Sequence, residues 1–204
     1  MRILVTGRQG QVVTALMEMS APGVTIVARG RPELDLEQPG AIRQAIRDVR
    51  PDVVVSAAAW TAVDDAEKER ERAFLANEAG ARAVAEAAAS IAAPVIHLST
   101  DYVFSGDLNR AYREDDATGP TGVYGASKLA GERAVAAAHA DHAILRTSWV
   151  HAPYGKNFLR TMLRLAESRD EVSVVSDQRG TPTYAPDIAM AVMKVARNLV
   201  ERRN

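Results

Sequence analysis

Tyr124 and Lys128 stand four residues apart in Tyr124-Gly125-Ala126-Ser127-Lys128. On a helix this spacing puts both side chains on one face. An ammonium beside a phenol favours the phenolate and draws its pKa from the usual value of about 10 toward working pH. A tyrosine tuned in this way can give a proton to a carbonyl that is receiving hydride. With five tyrosines and four lysines in the chain, roughly 0.1 such pairs arise by chance. Spacing alone is therefore modest support, and a core tyrosine beside a surface lysine is the plainer alternative. Placement has to decide between them.

Three other groups have chemistry to offer. Leu98-Ser99-Thr100-Asp101-Tyr102 ends an apolar run, and hydroxyls at the carboxyl end of a strand can hold a carbonyl oxygen. Gly7-Arg8-Gln9-Gly10-Gln11-Val12 follows the first apolar run. Glycines there allow a tight turn and close backbone approach to a pyrophosphate, and the following helix presents free N–H groups to the anion. Val13 stands where a third glycine would let helix and strand touch, so the helix is expected to sit slightly further out. The second run ends Val27-Ala28-Arg29-Gly30-Arg31. An acid at that place prefers a free ribose 2′-hydroxyl, whereas arginine accommodates a 2′-phosphate. Arg29 thus leans toward NADP(H) over NAD(H), and Asp35-Leu36 lie within reach of an adenine edge.

The elements that must position these groups follow from the apolar pattern. Ile3–Thr6, Thr25–Ala28, Val53–Ala57, Val95–Ser99, Ala143–Thr147 and Val172–Ser176 read as strands, aliphatic on both faces as strands covered on both sides should be. Helices are expected over Gln11–Met19, Gln38–Val49, Glu67–Ile91, Tyr124–Ala138 and Asn157–Ser168, with Pro39 in a first turn. A last helix, capped by Asp187, runs to near Glu201. Alternating strand and helix predicts an α/β fold, a Rossmann-like doubly wound parallel sheet with helices on both faces. Residues 1–204 read as one NAD(P)-binding domain. Such sheets bind ligands at the carboxyl ends of their strands, which gathers the glycine turn, the Thr100 hydroxyl and the Tyr124–Lys128 pair at one edge.

Composition removes other classes. The 204 residues carry 25 basic and 26 acidic side chains, a net charge of -1. That balance gives no electrostatic reason to expect nucleic acid or an anionic membrane. There is no cysteine, hence no disulfide and no thiolate metal site, which suits a cytoplasmic location. No apolar run reaches membrane-spanning length. Met1–Gly7 reads as a buried strand leading into a turn, not as a signal peptide. The four histidines lack metal-ligand spacing, so no metal site is expected, and His97 reads as a strand residue.

Taken together, these residues resemble the extended short-chain dehydrogenase/reductases, and more closely the dTDP-4-dehydrorhamnose reductase family. The blocks that carry the resemblance are GRQGQV at 7–12, SAAAWTAVDDAE at 56–67, HLSTDYVFSG at 97–106, GVYGASKLAGE at 122–132, LRTSWV at 145–150, NFLRTMLRLA at 157–166 and VVSDQRGTPTYAPDIA at 174–189. The resemblance implies reduction of the 4-keto group of dTDP-4-dehydro-L-rhamnose to dTDP-L-rhamnose. It implies Gly7, Gly10, Gln11 and Val12 at the cofactor pyrophosphate, Asp35 and Leu36 at adenine, and Ala57, Ala58 and Ala59 along the cofactor. Lys128 would hold the nicotinamide ribose, Tyr124 would be proton donor and Thr100 its hydroxyl partner, with Asp101 and Trp149 against substrate. A homodimer is the assembly the resemblance suggests. Ser56 departs from the family's asparagine. The family also continues beyond the DIA helix, so part of its C-terminal substrate segment is expected to be missing from residues 1–204. A cofactor- or partner-binding module with little turnover is accordingly the alternative.

Overall fold

Three consecutive valines, Val53, Val54 and Val55, have no exposed surface at all. A strand whose alternate side chains point to opposite faces can do this only between two helical layers. The computed structural model describes residues 1–203 and places that strand near the middle of a five-stranded parallel sheet. Its strands are β1 (Arg2–Thr6), β2 (Thr25–Arg29), β3 (Val53–Ser56), β4 (Val95–Thr100) and β5 (His142–Thr147). Their order is β2-β1-β3-β4-β5 with every pairing parallel. This is the doubly wound, Rossmann-like α/β fold expected from the sequence.

The helices are α1 (Gln11–Met17), α2 (Pro39–Val49), α3 (Val63–Lys68), α4 (Arg70–Phe74), α5 (Ala81–Ala89), α6 (Val123–Ala138), α7 (Phe158–Ala166) and α8 (Ala185–Glu201). On one sheet face Ile3, Val5, Val53, Val55 and Ile96 pack with Val13 and Leu16 of α1 and Ile188, Val192 and Met193 of α8. On the other, Leu4, Val54 and Val95 meet Ile42 and Ile46 of α2, Val84 of α5 and Val135 of α6. Each such aliphatic side chain contributes about 1.5–3 kcal/mol by leaving water. Local signals set the helix ends. Pro39 starts α2, which stops at Arg50 in a left-handed conformation. Asn157 caps α7 by accepting the Arg160 N–H at 2.9 Å.

Three expectations change. The Glu67–Ile91 helix is interrupted at Glu69 and again by a π-helical turn, Leu75–Gly80. Asp187 lies in the first turn of α8 while Tyr184 occupies the cap. Val172–Ser176 forms no strand, and Val174 and Val175 stand 52% and 66% exposed. The run stays in solvent and leaves the outer edge of β5, which pairs with β4 alone, uncovered, so no burial rewards the extended form. Instead, β6 (Val150–His151) pairs in parallel with β7 (Thr183–Tyr184).

One ion pair ties the last sheet strand to α6. Arg146 of β5 grips Glu132 through two bonds of 2.9 and 2.7 Å, and its guanidinium lies over the Phe104 ring. Glu132 is 4% exposed, so removing it leaves the partly buried Arg146 guanidinium without its carboxylate. Glu132→Ala should lower the unfolding free energy by about 2–3 kcal/mol, somewhat less than the roughly 3–5 kcal/mol of a fully buried pair because Arg146 keeps some contact with water. A urea titration checks this; a loss below about 0.5 kcal/mol would mean that the pair behaves as a surface one.

Candidate active site

The sheet order reverses between β1 and β3, and that is where an open α/β sheet leaves a crevice. A cavity of about 490 Å³ lies there, lined among others by Gly7, Gly30, Asp35, Leu36, Ala58 and Ala59. Gly7 turns the chain out of β1 at φ +105°, a conformation strained for any residue with a Cβ. The space that its missing Cβ leaves is taken by Val13, whose Cγ2 would lie 3.3 Å from a Cβ at Gly7. The valine in the glycine fingerprint is therefore accommodated by its neighbour. Gly10 is the N-cap of α1 and brings no side-chain acceptor, so the first N–H groups of the helix have no cap from that residue. The Gln11 side chain is engaged elsewhere. It donates to the Val150 carbonyl at 3.2 Å and accepts from Asn157 at 2.8 Å, which leaves its backbone, with that of Val12, as the part that can meet a ligand.

The charged rim differs from what the strand end suggested. Arg29 folds back on the Ala28 carbonyl at 3.1 Å, while Arg8, Arg31 and Arg72 line the cavity. Arg8 pairs with Glu33 at 2.8 Å, and Arg31 with Asp35 at 3.1 Å and Glu37 at 2.7 Å. Burial would raise the Asp35 pKa, but the Glu37 N–H and Arg31 outweigh it and hold the carboxyl below its ordinary range.

Two residues that the sequence reading passed over shape the floor. Thr6 Oγ1 accepts the N–H groups of both Ala57 and Ala58 at 2.9 Å, so the last side chain of β1 fixes the segment after β3. Asn77, buried in the π-helical turn, accepts the Trp60 N–H at 2.8 Å and donates to the Trp60 carbonyl at 3.1 Å. It also donates to Ser127 Oγ at 2.9 Å. One amide thereby joins the Ala57–Trp60 segment to α6. Their sequence signal was faint: a polar residue inside an apolar element.

Tyr124 opens α6 beside the end of β4. Gly125 permits that approach, since a Cβ there would overlap the Tyr102 carbonyl. The Tyr124 ring meets Tyr102 edge-on, centroids 5.7 Å apart. Burial raises the phenol pKa, with Asp101 and Tyr102 adding to the rise and the Thr100 hydroxyl opposing it in part. This corrects the expectation that Lys128 draws the phenol down. The Lys128 ammonium turns instead toward β4, where it donates to the Leu98 carbonyl at 2.7 Å and faces His97 Nε2 at 3.5 Å. Lys128 is 3% exposed, and burial lowers its pKa to about 8 against the opposing influence of Glu132.

Thr100 caps the short turn Asp101–Val103 by accepting the Tyr102 N–H at 3.2 Å, and its hydroxyl reaches Asp101 at 3.2 Å. The other Asp101 oxygen accepts Ser148 at 2.6 Å. Trp149, next in the chain, sits at φ +43° and is 44% exposed, its indole laid over Gly180. A bulky residue in the left-handed region is strained, and such strain gathers at functional sites. Thr100, Asp101, Tyr124 and Lys128 thus meet at the carboxyl end of β4, and Trp149 lies just past the end of β5. Among the described residues no group of three or more His, Cys, Asp or Glu side chains could hold a metal ion, and no helix is long and apolar enough to cross a membrane.

Residues 1–204 match the family described as RmlD substrate binding domain. The chain is 54% identical over 200 residues to a dTDP-4-dehydrorhamnose reductase of Sinorhizobium fredii (strain NBRC 101917 / NGR234), covering 98% of this chain and 68% of the relative. It is 45% identical to one from Escherichia coli (strain K12), covering 97% and 69%. A crystal structure of dTDP-4-dehydrorhamnose reductase from Bacillus anthracis str. Ames in complex with NADP superposes with a TM-score of 0.93 at 40% identity, over 97% of this chain and 71% of that one. The chain spans about two thirds of the length of these relatives.

Proposed function

Because the chain belongs to the RmlD substrate binding domain family, we propose that it is a nicotinamide-dependent reductase acting on the 4-keto group of dTDP-4-dehydro-L-rhamnose and yielding dTDP-L-rhamnose. The observation that carries this reading is the half-buried Tyr124 phenol beside the Thr100 hydroxyl, on the sheet edge that also holds the glycine-turn cavity. The cavity suits NADP(H) or NAD(H): it is roomy, apolar at Leu36, Ala58 and Ala59, and rimmed by arginines. When bound, the nicotinamide supplies the hydride.

The chain's own residues divide the remaining work. The backbone of Gly7, Gly10, Gln11 and Val12 takes the pyrophosphate. Asp35 and Leu36 flank adenine, and Ala57, Ala58 and Ala59 line the path toward the sheet edge. Arg29 was the sequence candidate for a 2′-phosphate; Arg8 and Arg31 have the better position, as they line the cavity. Lys128 would hold the nicotinamide ribose, and Tyr124 would give its proton to the keto oxygen as it receives hydride. Thr100 orients the phenol, and Asp101 and Trp149 receive the sugar. In this reading residues 1–204 act as one cofactor-binding domain of a cytoplasmic enzyme, and a homodimer is its assembly.

One observation favours a second reading, a cofactor-binding module with little turnover. Helix α7 is thinly packed: it has no buried residue, and Phe158 and Leu163 are 63% and 60% exposed. The deciding experiment follows NADPH absorbance near 340 nm with dTDP-4-keto-sugar supplied, and repeats it with NADH. Steady oxidation supports the reductase. Cofactor binding without oxidation supports the module and overturns the reductase.

A further inference from the structure

His97 takes no part in the proposed reaction, yet it is the one side chain that the Lys128 ammonium faces among the described residues. Four facts define the contact. His97 is 1% exposed and Ser56 1%. His97 Nε2 lies 3.5 Å from Lys128 Nζ. His97 Nδ1 lies 3.1 Å from Ser56 Oγ. Ser56 and His97 are register partners on β3 and β4, so the serine approaches from the neighbouring strand and the lysine from α6.

Hydrogen-bond chemistry fixes the roles. An ammonium has donors and no lone pair, so Nε2 must accept. The ring proton then resides on Nδ1 and points at Ser56 Oγ, which can accept it. Burial and the nearby Lys128 charge hold His97 well below the ordinary histidine range, so the ring is neutral. We propose that His97 is a positioning residue for Lys128: its Nε2 lone pair, aimed by the Ser56 hydroxyl, holds the ammonium at the carboxyl end of β4 and helps it keep its proton. The ammonium thus sets the ring tautomer, and Ser56 serves as the acceptor for the Nδ1 proton.

The other ionisable groups on the surrounding elements are Tyr124, Glu132 and Arg133 on α6, His142 and Arg146 on β5, and Asp101 and Tyr102 after β4. β3 offers only the Ser56 hydroxyl and the π-helical turn only the Asn77 amide at this place. Of these, Glu132 favours the charged lysine, but Arg146 holds both its oxygens. The catalytic consequence rests on the reductase reading above; the contact does not.

The test has two arms, neither of which needs substrate. In the first, the Lys128 side chain is titrated by NMR in the parent, in His97→Leu and in His97→Gln. The parent midpoint should lie at about 8. Leucine removes the acceptor and should lower the midpoint by about one pH unit, the scale of one lost hydrogen bond to a charged group. Glutamine can accept through its amide oxygen and should restore at least half of that shift. An unchanged midpoint in His97→Leu overturns the proposal. In the second arm, nitrogen-15 spectra of the parent report the ring tautomer: a proton on Nδ1 is expected, and a proton on Nε2 overturns the proposal even if the leucine variant fails to fold. If the reductase reading holds, the alkaline limb of the rate profile moves with the Lys128 midpoint. A parent chain that does not oxidise NADPH would count against that reading and leave both arms decisive.

Discussion

Tyr124→Phe should bind NADPH within about threefold of the parent yet reduce the keto-sugar roughly 10²–10⁴-fold more slowly, the range for a lost general acid. The substitution removes one oxygen. The ring keeps its edge-on contact with Tyr102, and Gly125 still lets α6 rest on the Tyr102 carbonyl. The direction of the phenol's pKa sharpens the expectation. Because burial raises it, the hydroxyl stays protonated through the neutral range and is suited to donate, as a reduction requires. Stopped-flow or steady-state loss of NADPH absorbance measures the rate, and fluorescence titration measures the binding. Equal rates in variant and parent would remove Tyr124 from the chemistry.

Lys128→Met should lower turnover by at least about 10²-fold at neutral pH and also change how stability responds to pH. Folded Lys128 holds its proton with a pKa of about 8, against a reference of 10.5. Between those values the unfolded chain binds more protons than the folded one, so the parent gains stability as pH rises. The gain is complete above the unfolded value and lost as pH falls through the folded one. Its full size is about 3 kcal/mol, from a shift of that order at 1.36 kcal/mol per unit. Methionine has no proton to release and lacks this rise. Urea titrations at several pH values between 7 and 11 should therefore show the parent gaining on the variant by about 3 kcal/mol. Parallel curves would mean that the ammonium is not desolvated in the folded protein.

What was legible in the sequence shares one property: it depends on neighbours within a few residues or on burial pattern. The strand–glycine turn–helix unit at β1, the aliphatic runs covered on both faces, and the helix starting at Val123 are of this kind. So is the convergence of Thr100 and Tyr124, which follows once a parallel sheet is assumed. Features set by distant partners were not legible. Spacing placed Lys128 on the face of Tyr124, but it could not say that the flexible side chain would reach the Leu98 carbonyl on another element. Val172–Ser176 has strand composition, yet the folded chain leaves it off the open edge of β5. Arg29 and Arg31 are equivalent as letters, and only the folded loop sends one to the cavity and the other back on its own strand. His97 reads only as a strand residue and Asn77 draws no notice, because their partners, Lys128 and Trp60, lie 31 and 17 positions away.

The packing of α8 against α1 sets when one face of the sheet can close. β1 is synthesised first and lies inside the sheet, flanked by β2 and β3. One face of that sheet is closed by α1, near residue 14, together with α8, near residue 193. The contact that seals this face thus joins segments roughly 180 residues apart, and the loop-closure entropy for it must be met before it rewards folding. Until the α8 residues Ile188, Val192 and Met193 leave the ribosome, the apolar side chains they cover on β1 and β3 remain wet and open to non-native association. Helix α8 is therefore a late-arriving cover for this sheet face, and apolar-to-polar changes along its inner face would lengthen the interval of exposure as well as weaken the folded core.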